Sequence, residues 1–418
     1  MNARECALRV LYDIEYNGAY SNLALKNALS AEYSAQDRAF ITALVYGVTD
    51  KRLMLDYIIT RHSKIKLKKI SKYIRIILRM GIYQLKFTDK IPASAAVNES
   101  VKLAKRYGHA SSAGFVNGVL RNVERSEIEY PENGGEYLSV KYSFPPGLCQ
   151  RWVKRFGYDF TEKLMSAYSE PAHLTLRQNT LKTTPENLFE RLKENDVRAE
   201  LTDGYITADG FDISHDDLYK NGCYTVQDAA AMKAAEILAP KKGETVIDMC
   251  AAPGGKTTHM AELMENEGRI LAFDIHEHKI DLIRKNAERL GITIIDARVQ
   301  DGCEYDESYT DIADKILCDV PCSGLGIIRR KPEIKYGYDA ENDLPQIQRT
   351  ILNNATRYLK QGGEIVYSTC TIEEAENEGV TGGFLSDNPD FEKLFEKTFY
   401  PHIDGTDGFY ICKMRKKV

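Results

Sequence analysis

The feature that most constrains the fold is a regular alternation of strand-like and helical segments in the C-terminal part. From about residue 226, short apolar, β-prone runs are separated by stretches of helical periodicity, such as residues 344–359. The β-prone runs are 245–249, 269–273, 292–299, 315–320 and 364–369. This alternation predicts a doubly wound α/β domain with a mainly parallel sheet. Ligands of such a domain bind outside the carboxyl ends of its strands.

The first 125 residues differ in both pattern and charge. Helix formers dominate and Pro92 is the only proline, so this part is predicted to be all-helical. It contains 21 Lys and Arg against 10 Asp and Glu, whereas the rest of the chain contains 35 against 51. A basic first third indicates contact with a polyanion. Lys68, Lys72, Arg75 and Arg79 have helical spacing and form a candidate stripe for nucleic-acid phosphates, the alternative being an ordinary solvated face.

Between these parts, Pro- and Gly-rich segments mark a boundary. Residues 131–135 and 145–147 are typical of a linker. The region that follows mixes a helix over 148–169 with short strands, which predicts a small α+β module. We therefore predict a helical RNA-binding domain over residues 1–135, a linker and α+β module over 136–225, and a Rossmann-like α/β catalytic domain over 226–418.

The first turn of the α/β domain reads Cys-Ala-Ala-Pro-Gly-Gly-Lys-Thr at residues 250–257. It lies between a predicted strand and a predicted helix, where small residues let the backbone approach a ligand closely. Cys250 stands where a Walker P-loop requires its first glycine, and the Gly-x-Gly-x-x-Gly fingerprint is absent. The turn is therefore a candidate site for a cofactor without a pyrophosphate.

Acidic residues follow three of the strand-like runs. Asp274 lies 19 residues beyond Gly255, an offset at which a carboxylate accepts hydrogen bonds from ribose hydroxyls. Asp301 follows the third run and Asp319 ends the fourth. Singly, such acids are ordinary helix caps or turn residues. Together with the glycine-rich turn they form a negative rim that suits an adenosine with a positive centre, as in S-adenosylmethionine.

Two cysteines follow strand-like runs at the same predicted edge. Cys322 stands in Asp-Val-Pro-Cys-Ser-Gly and Cys370 in Ser-Thr-Cys-Thr. A thiol there suits nucleophilic catalysis, because sulfur that adds to carbon 6 of a pyrimidine makes carbon 5 nucleophilic toward a methyl group. A free thiol has a pKa of about 8.5 and needs activation, for which Lys256 and the sulfonium are candidates. The cysteine spacing fits neither a zinc site nor a disulfide framework.

These motifs resemble the RNA cytosine-5 methyltransferases of the Sun type, and more narrowly the bacterial RsmB group, which acts on small-subunit ribosomal RNA. The segments that carry the resemblance are VQDAAAM (226–232), DMCAAPGGKTTH (248–259), DVPCSGLGIIRRKPEIKY (319–336), YSTCTIEEAENE (367–378) and DGFY (407–410). The N-terminal third is similar to NusB, an RNA-binding helical domain, over VNESVKLAKRYG (97–108) and FVNGVLRNV (115–123). Nearly the whole chain is covered.

The resemblance implies a role for each site residue. Cys370 would attack carbon 6, Cys322 would assist release of the methylated product, and Asp319 would hydrogen-bond the cytosine ring edge beside the cofactor. Asp274 would bind the ribose of S-adenosylmethionine and Asp301 its adenine side. The methionine end would be wrapped by Cys250, Ala251, Ala252, Pro253, Gly254, Gly255 and Lys256. No metal is implied.

The sequence thus predicts an S-adenosylmethionine-dependent methyltransferase that forms 5-methylcytosine in small-subunit (16S) ribosomal RNA through a covalent cysteine intermediate. Two alternatives stay open: the same chemistry on tRNA, and a non-catalytic RNA-binding assembly factor. The run Arg329, Arg330 and Lys331 is a further candidate for phosphate contact, or a solvated loop. No apolar run approaches the roughly 20 residues that span a bilayer. A cytoplasmic monomer without a membrane or metal partner is expected.

Overall fold

The computed structural model describes residues 2–29, 33–202, 204–209, 211 and 213–418. The chain divides into two compact units, of which the first comprises Met1–Glu170 and Ile328–Tyr338. The second comprises Pro171–Ile327 and Asp339–Val418. The domain boundaries expected at residues 135 and 225 stay a prediction.

The first unit is helical, as predicted for the N-terminal part. Apolar residues at helical spacing, such as Ile74, Ile77 and Leu78 of α5, are buried in a common core. Asn2 and Ser34 cap α1 and α3 by accepting backbone N–H groups of the first turn. The helices are α1 (Ala3–Tyr16), α2 (Ser21–Ala28), α3 (Ala35–Asp50), α4 (Arg52–His62), α5 (Lys72–Lys86), α6 (Ala93–Tyr107), α7 (Ser112–Arg125), α8 (Gly134–Tyr142), α9 (Pro146–Phe156) and α10 (Tyr158–Tyr168).

Two details of the helical unit correct the sequence-based prediction. The single helix expected over 148–169 is two helices, because Gly157 adopts φ 82° between α9 and α10, a conformation open to glycine but not to a helix interior. The prediction that Arg79 belongs to an exposed basic stripe is also wrong. Arg79 is buried and forms ion pairs with Asp56, at 2.7 Å, and with Glu15, so it does not face phosphates.

The second unit contains two sheets. The smaller is an antiparallel sheet in the order β2-β3-β1-β4, with a core that includes Leu176, Leu188 and Ile206. Its elements are β1 (Leu174–Gln178), α11 (Pro185–Glu194), β2 (Arg198–Thr202), β3 (Tyr205–Asp209), α12 (Asp217–Lys220) and β4 (Tyr224–Val226). The predicted α+β module is therefore confirmed in its architecture.

The larger sheet has seven strands in the order β10-β11-β9-β8-β5-β6-β7. The five strands from β9 to β7 are parallel, whereas β11 and β10 are antiparallel additions at one edge. The strands are β5 (Thr245–Asp248), β6 (Arg269–Asp274), β7 (Ile295–Val299), β8 (Ala313–Asp319), β9 (Leu359–Thr369), β10 (Phe391–Phe399) and β11 (Phe409–Lys416). The predicted, mainly parallel α/β domain is confirmed.

Helices of the larger domain connect these strands. They are α13 (Ala229–Leu238), α14 (Gly255–Leu263), α15 (Glu277–Leu290), α17 (Leu344–Tyr358), α18 (Glu378–Asp387) and α19 (Pro401–Asp404). Short 3-10 turns lie at Leu67–Lys69, Ile213–His215, Glu307–Tyr309 and Glu374–Glu376. Within the described residues, no helix has the length and apolar character needed to cross a membrane.

The segment Ile328–Tyr338 belongs to the helical unit, although it lies between two parts of the second unit in sequence. It contains the short helix α16 (Ile334–Gly337). The ammonium of Lys335 is buried and lies 2.8 Å from Oδ1 of Asp50, and the hydroxyl of Tyr336 donates to the Asp50 carbonyl at 2.6 Å. Part of the motif that follows Cys322 is thus held by the helical unit.

Candidate active site

The site begins where three parallel strands end side by side. Asp248 ends β5, Asp319 ends β8 and Thr369 ends β9. The register pairs Asp248 with Leu317 and Asp319 with Ser368. Because parallel strands present their carboxyl ends at one edge, the loops that follow, which carry the glycine-rich turn and both predicted cysteines, leave the sheet together.

The two cysteines meet at this edge. The Sγ atoms of Cys322 and Cys370 lie 3.2 Å apart, and neither residue is part of a disulfide. The hydrogen bond with Cys370, together with burial, raises the pKa of the Cys322 thiol well above its ordinary value. At neutral pH Cys322 therefore keeps its proton.

Buried side chains fix the loop that carries Cys322. Oε2 of Glu376 accepts a hydrogen bond from the backbone N–H of Ser323 at 2.8 Å and from Nε2 of Gln348 at 3.0 Å. The same Nε2 donates to the carbonyl of Pro321 at 2.9 Å. The residues on both sides of Cys322 are thus held by one carboxylate–amide pair, which restricts the position of the thiol.

The loop that carries Cys370 has its own supports. The backbone N–H of Gly326 donates to the Cys370 carbonyl at 2.9 Å. Asn377 accepts from Oγ1 of Thr369 at 2.6 Å and donates to the carbonyl of Thr371 at 3.0 Å. The hydroxyl groups of Ser323 and Thr371 share a hydrogen bond of 2.8 Å, which connects the two cysteine loops directly.

Asp319 lies between the thiols and the glycine-rich turn. Its Oδ2 is 2.7 Å from Nζ of Lys256, and its Oδ1 accepts from the hydroxyl of Ser368 at 2.8 Å. Burial alone would lower the pKa of Lys256, but the attraction of Asp319 outweighs it and raises that pKa. Lys256 is therefore a cation, and the negative charge of Cys370 is a further cause of the same shift.

The glycine-rich turn borders a cavity of about 200 Å³. Gly254 adopts φ 100°, and a Cβ there would lie 3.3 Å from the Cα of Ile283, so the turn requires glycine for conformation and is tight for space. The cavity is lined by Val226, Gln227, Ala231, Asp248, Cys250, Ala251, Ala252, Pro253, Gly255, Lys256 and Asp319. Most of the residues predicted for the methionine end of the cofactor thus surround one cavity.

Two polar groups of this cavity fit a zwitterionic ligand. Among the described residues, Oδ1 of Asp248 and Nε2 of Gln227 are buried and have no hydrogen-bond partner. One is an acceptor and the other a donor. Burial raises the pKa of Asp248 to about 7, although the hydroxyl of Thr257 donates to its other oxygen at 2.7 Å. An amino-acid group, with an ammonium donor and a carboxylate acceptor, complements this pair.

The two remaining acids lie at neighbouring strand ends. Asp274 ends β6, is buried, and accepts the backbone N–H of His276 at 3.2 Å. Asp301 follows β7 and accepts the backbone N–H of Cys303 at 2.8 Å. Neither lines the cavity of the glycine-rich turn. Their roles toward ribose and adenine therefore stay predictions, as do those of the other site residues.

Sequence reasoning missed four residues of this site: Arg177, Gln227, Gln348 and Glu376. Gln227 and Glu376 lie within motif segments that carry the resemblance, in VQDAAAM and in EEAENE, so a closer reading of those motifs could have selected them. Arg177 and Gln348 carry no such signal, since they look like ordinary residues of a strand and a helix.

Comparisons with sequence families cover most of the chain. Residues 235–415 match the family described as 16S rRNA methyltransferase RsmB/F, and residues 1–125 match the NusB family. Residues 144–210 match a ferredoxin-like domain described as RsmF/B-like. The three matches follow one another along the chain in the order of the three predicted parts.

Whole-chain relatives agree with these matches. A probable ribosomal RNA small subunit methyltransferase B of Bacillus subtilis is 38% identical, covering 100% of this chain and 99% of its own length. The ribosomal RNA small subunit methyltransferase B of Shewanella oneidensis is 31% identical, with coverage of 100% and 99%. A methyltransferase homologue of known structure from Pyrococcus horikoshii is 30% identical over 67% of this chain and 97% of its own, with a TM-score of 0.59. The chain belongs to the 16S rRNA methyltransferase RsmB/F family, and S-adenosylmethionine is its cofactor.

Proposed function

We propose that this chain methylates carbon 5 of a cytosine in small-subunit ribosomal RNA, with Cys370 as the nucleophile. The observation that carries the proposal is the pair of thiols 3.2 Å apart at the strand edge, next to Asp319 and the cofactor turn. One thiol is enough for a covalent adduct, and a second suits a reaction in which the adduct must also be resolved.

Cys370 has the role of attacking group. Its Sγ forms a bond to carbon 6 of the cytosine, and the electron pair of the 5,6 double bond moves toward carbon 5 and the ring nitrogen N3. The bound cofactor supplies an electrophilic methyl group. Lys256 supports the attack electrostatically, because its ammonium interacts with the charge on Cys370. The raised pKa of Cys322 favours this assignment, since a thiol that keeps its proton is a weak nucleophile.

Cys322 has the role of a proton acceptor or donor during release. To restore the ring, carbon 5 must lose its proton to a base and the bond between carbon 6 and Cys370 must break. The hydrogen bond with Cys370 is the largest cause of the raised pKa of Cys322. Once Cys370 is bonded to carbon 6 that cause is gone, so Cys322 ionises more readily at the step that requires a base.

Asp319 orients the base. With one oxygen held by Ser368 and the other by Lys256, its carboxylate has a fixed direction and accepts from the amino edge of a cytosine. Such a contact selects cytosine over uracil, whose corresponding group is a carbonyl. The target base must leave its stack to reach the thiols, as in other base-modifying enzymes.

The RNA class follows from the relatives. Those with coverage of nearly the whole chain carry names that specify the small subunit of ribosomal RNA, and the helical domain matches the NusB family. We propose that this basic domain over residues 1–135 holds RNA phosphates, that 136–225 forms the middle module, and that 226–418 carries the chemistry in a cytoplasmic monomer.

The test is transfer of a labelled methyl group to unmodified 16S ribosomal RNA, followed by nucleoside analysis for 5-methylcytosine. Cys370→Ser should abolish transfer. Cys322→Ser should accumulate a covalent protein–RNA adduct, visible as a band of reduced mobility in a denaturing gel. Unmodified tRNA serves as the competing substrate in the same assay.

Three results would contradict the proposal. Full activity of Cys370→Ser removes the nucleophile assignment. An adduct with Cys370→Ser but not with Cys322→Ser reverses the two roles. Methyl label in tRNA but not in 16S RNA would make tRNA the substrate. The absence of methyl transfer to either RNA favours a non-catalytic assembly factor.

A further inference from the structure

Arg177 connects the middle module to the cofactor turn. It lies in β1 and is buried, with Nε and Nη2 donating to the two carboxylate oxygens of Glu262 at 3.1 and 2.8 Å. Its Nη1 donates to the Gly255 carbonyl at 2.7 Å and to Oε1 of Gln227. Gly255 is the first residue of α14 and part of the turn, so a side chain of the antiparallel module holds the backbone of the cofactor site.

The contact with Arg177 also fixes the orientation of the Gln227 amide. A guanidinium group only donates hydrogen bonds, so the amide atom that faces it must be the oxygen. Nε2, the donor of the amide, must then lie on the opposite side of the group. The Gln227 backbone N–H donates to the Thr175 carbonyl of β1 at 3.1 Å, which anchors the residue. Arg177 therefore holds the Gln227 amide so that its Nε2 donates in a fixed direction.

Asp248 complements this donor on another side of the same cavity. Its Oδ2 is occupied by Thr257, whereas its Oδ1 has no partner among the described residues. Asp248 and Gln227 are both more than nine-tenths buried, and both line the cavity. A buried polar atom without a partner is costly. Two such atoms of opposite character in one cavity indicate a ligand that carries both a donor and an acceptor.

We propose that Gln227 and Asp248 bind the amino-acid end of S-adenosylmethionine, with Nε2 of Gln227 donating to its carboxylate and Oδ1 of Asp248 accepting from its ammonium, and that Arg177 is the positioning residue that sets the Gln227 amide. This inference rests on the cofactor assignment and adds the residues that recognise one end of the cofactor. The start of α14 at Gly255 favours the same orientation, because a helix N-terminus stabilises a carboxylate.

A cytosine edge is the competing occupant, since it too has a donor and an acceptor. The position of the pair favours the cofactor. Both residues border the first turn of the parallel domain, where doubly wound folds place their nucleotide cofactors, and the cavity wall includes the small residues Ala251, Ala252 and Gly255. Of the predicted base-binding groups, Asp319 ends β8 and also lines the cavity, whereas the two thiols follow β8 and β9 and are not part of its lining.

The test compares two probes by isothermal titration calorimetry of the full chain. S-Adenosylhomocysteine carries the amino-acid end, and 5′-methylthioadenosine lacks it. Gln227→Glu keeps the contact with Arg177 but replaces the donor by a carboxylate. It should weaken S-adenosylhomocysteine binding by about a hundredfold and 5′-methylthioadenosine binding by less than about threefold. Asp248→Ala should weaken S-adenosylhomocysteine binding by at least about tenfold, with the same selectivity.

Arg177 is tested by the ratio of the two affinities. In Arg177→Met the amide is free to turn, so the preference for S-adenosylhomocysteine should fall by about tenfold. Arg177→Lys, which still donates to Oε1, should recover part of it. Gln178→Ala is the matched control: it removes a neighbouring glutamine of β1 that does not line the cavity, and it should leave both affinities unchanged.

If Gln227→Glu lost the same factor of affinity for both probes, the inference would be overturned, because the whole site would have collapsed and not a single contact. An unchanged affinity of Gln227→Glu for S-adenosylhomocysteine would overturn it as well. If cytidine binding is reduced while S-adenosylhomocysteine binding is unchanged, Gln227 and Asp248 belong to the site of the base. Labelled methyl transfer by the wild-type chain reports on the proposed function separately, so failure of one is distinguishable from failure of the other.

Discussion

The carboxylate of Glu376 accepts a hydrogen bond of 2.8 Å from the backbone N–H of Ser323, the residue that follows Cys322. The two residues are 53 positions apart in sequence. A buried carboxylate at this place fixes the direction of the loop. It also contributes to the raised pKa of Cys322, after the hydrogen bond to Cys370, burial and the charge of Cys370.

Glu376→Ala should therefore behave like a loss of Cys322. It removes the acceptor of the Ser323 N–H and one of the two acceptors of Gln348 Nε2, so the thiol loses its fixed position. Turnover should fall by about a hundredfold, the scale of a 1 Å misplacement of a reacting group, and the covalent RNA adduct should accumulate. Quantified gel-shift and methyl-transfer assays measure both.

Glu376→Gln is the matched control, because its amide oxygen still accepts from Ser323 and Gln348. It should retain most of the turnover. Adduct levels in Glu376→Ala as low as those of the wild type would show that Glu376 does not act through Cys322.

Gly326 is expected to be essential for the alignment of the thiols. A Cβ at this position would lie 1.9 Å from the Gly408 carbonyl oxygen. The Gly326 N–H donates to the Cys370 carbonyl and the Gly326 carbonyl accepts from the Gly408 N–H, both at 2.9 Å. Gly326→Ala must shift this backbone and with it the Cys370 loop. Methyl transfer should fall by at least about a hundredfold, while S-adenosylhomocysteine still binds, as calorimetry can show.

Gly382→Ala provides the contrast. Gly382 lies on the exposed side of α18, and a Cβ there meets nothing within 4 Å. Alanine in a helix interior should raise stability by about 0.5–1 kcal/mol relative to glycine and leave activity unchanged. If Gly326→Ala were equally well tolerated, the close approach would not position Cys370.

Asp248 should make the ligand-free protein less stable as the pH rises. Burial raises its pKa in the folded state to about 7, against an ordinary value of 3.8. Between these values the folded state binds more protons than the unfolded state, so the free energy of unfolding decreases from pH 4 to about pH 7 and then levels off. The total effect is on the order of 4 kcal/mol.

Asp248→Asn removes this ionisation. The unfolding temperature of Asp248→Asn minus that of the wild type should increase between pH 5 and pH 7 and keep the larger value at pH 8. The affinity of this variant for S-adenosylhomocysteine should fall. Asp217→Asn, an exposed carboxylate, should show no such trend. A gain from Asp248→Asn that is the same at pH 5 and pH 8 would contradict the raised pKa.

Exposed lysines near the start of α5 should bind RNA phosphates. Lys64, Lys66, Lys68 and Lys69 are all exposed, whereas Arg79 of the predicted stripe is buried. Replacing the four lysines by alanine should weaken RNA binding and lower the slope of log affinity against log salt by up to about 3, since each phosphate contact contributes about 0.7–0.9. Filter binding at several salt concentrations measures this slope.

The control replaces four exposed lysines of the second unit, namely Lys220, Lys241, Lys242 and Lys285, at the same cost in charge. It should change the slope by less than about 1. An equal change in both variants would mean that RNA responds to overall charge and not to the surface near α5.

Much of the architecture could be predicted because it depends on local patterns. The alternation of short apolar, β-prone runs with stretches of helical periodicity predicted the parallel sheet, and the small residues and glycines of segment 250–257 predicted the cofactor turn after β5. Errors arose where a residue's partner lies far away in sequence. Arg79 has the spacing of a surface residue but is buried by Asp56 and Glu15, and nothing within α5 indicates those partners.

That two cysteines and a glycine-rich turn follow strands of one parallel sheet could be predicted from the sequence, because β-prone runs and turn residues are properties of short segments. Three contacts could not be predicted in this way: Cys322 touches Cys370, Glu376 and Gln348 hold the loop from Pro321 to Ser323, and Arg177 reaches the cofactor turn from another sheet. These contacts join residues 27 to 78 positions apart. They depend on strand order and register, which bring distant segments together and are set by packing of the whole domain.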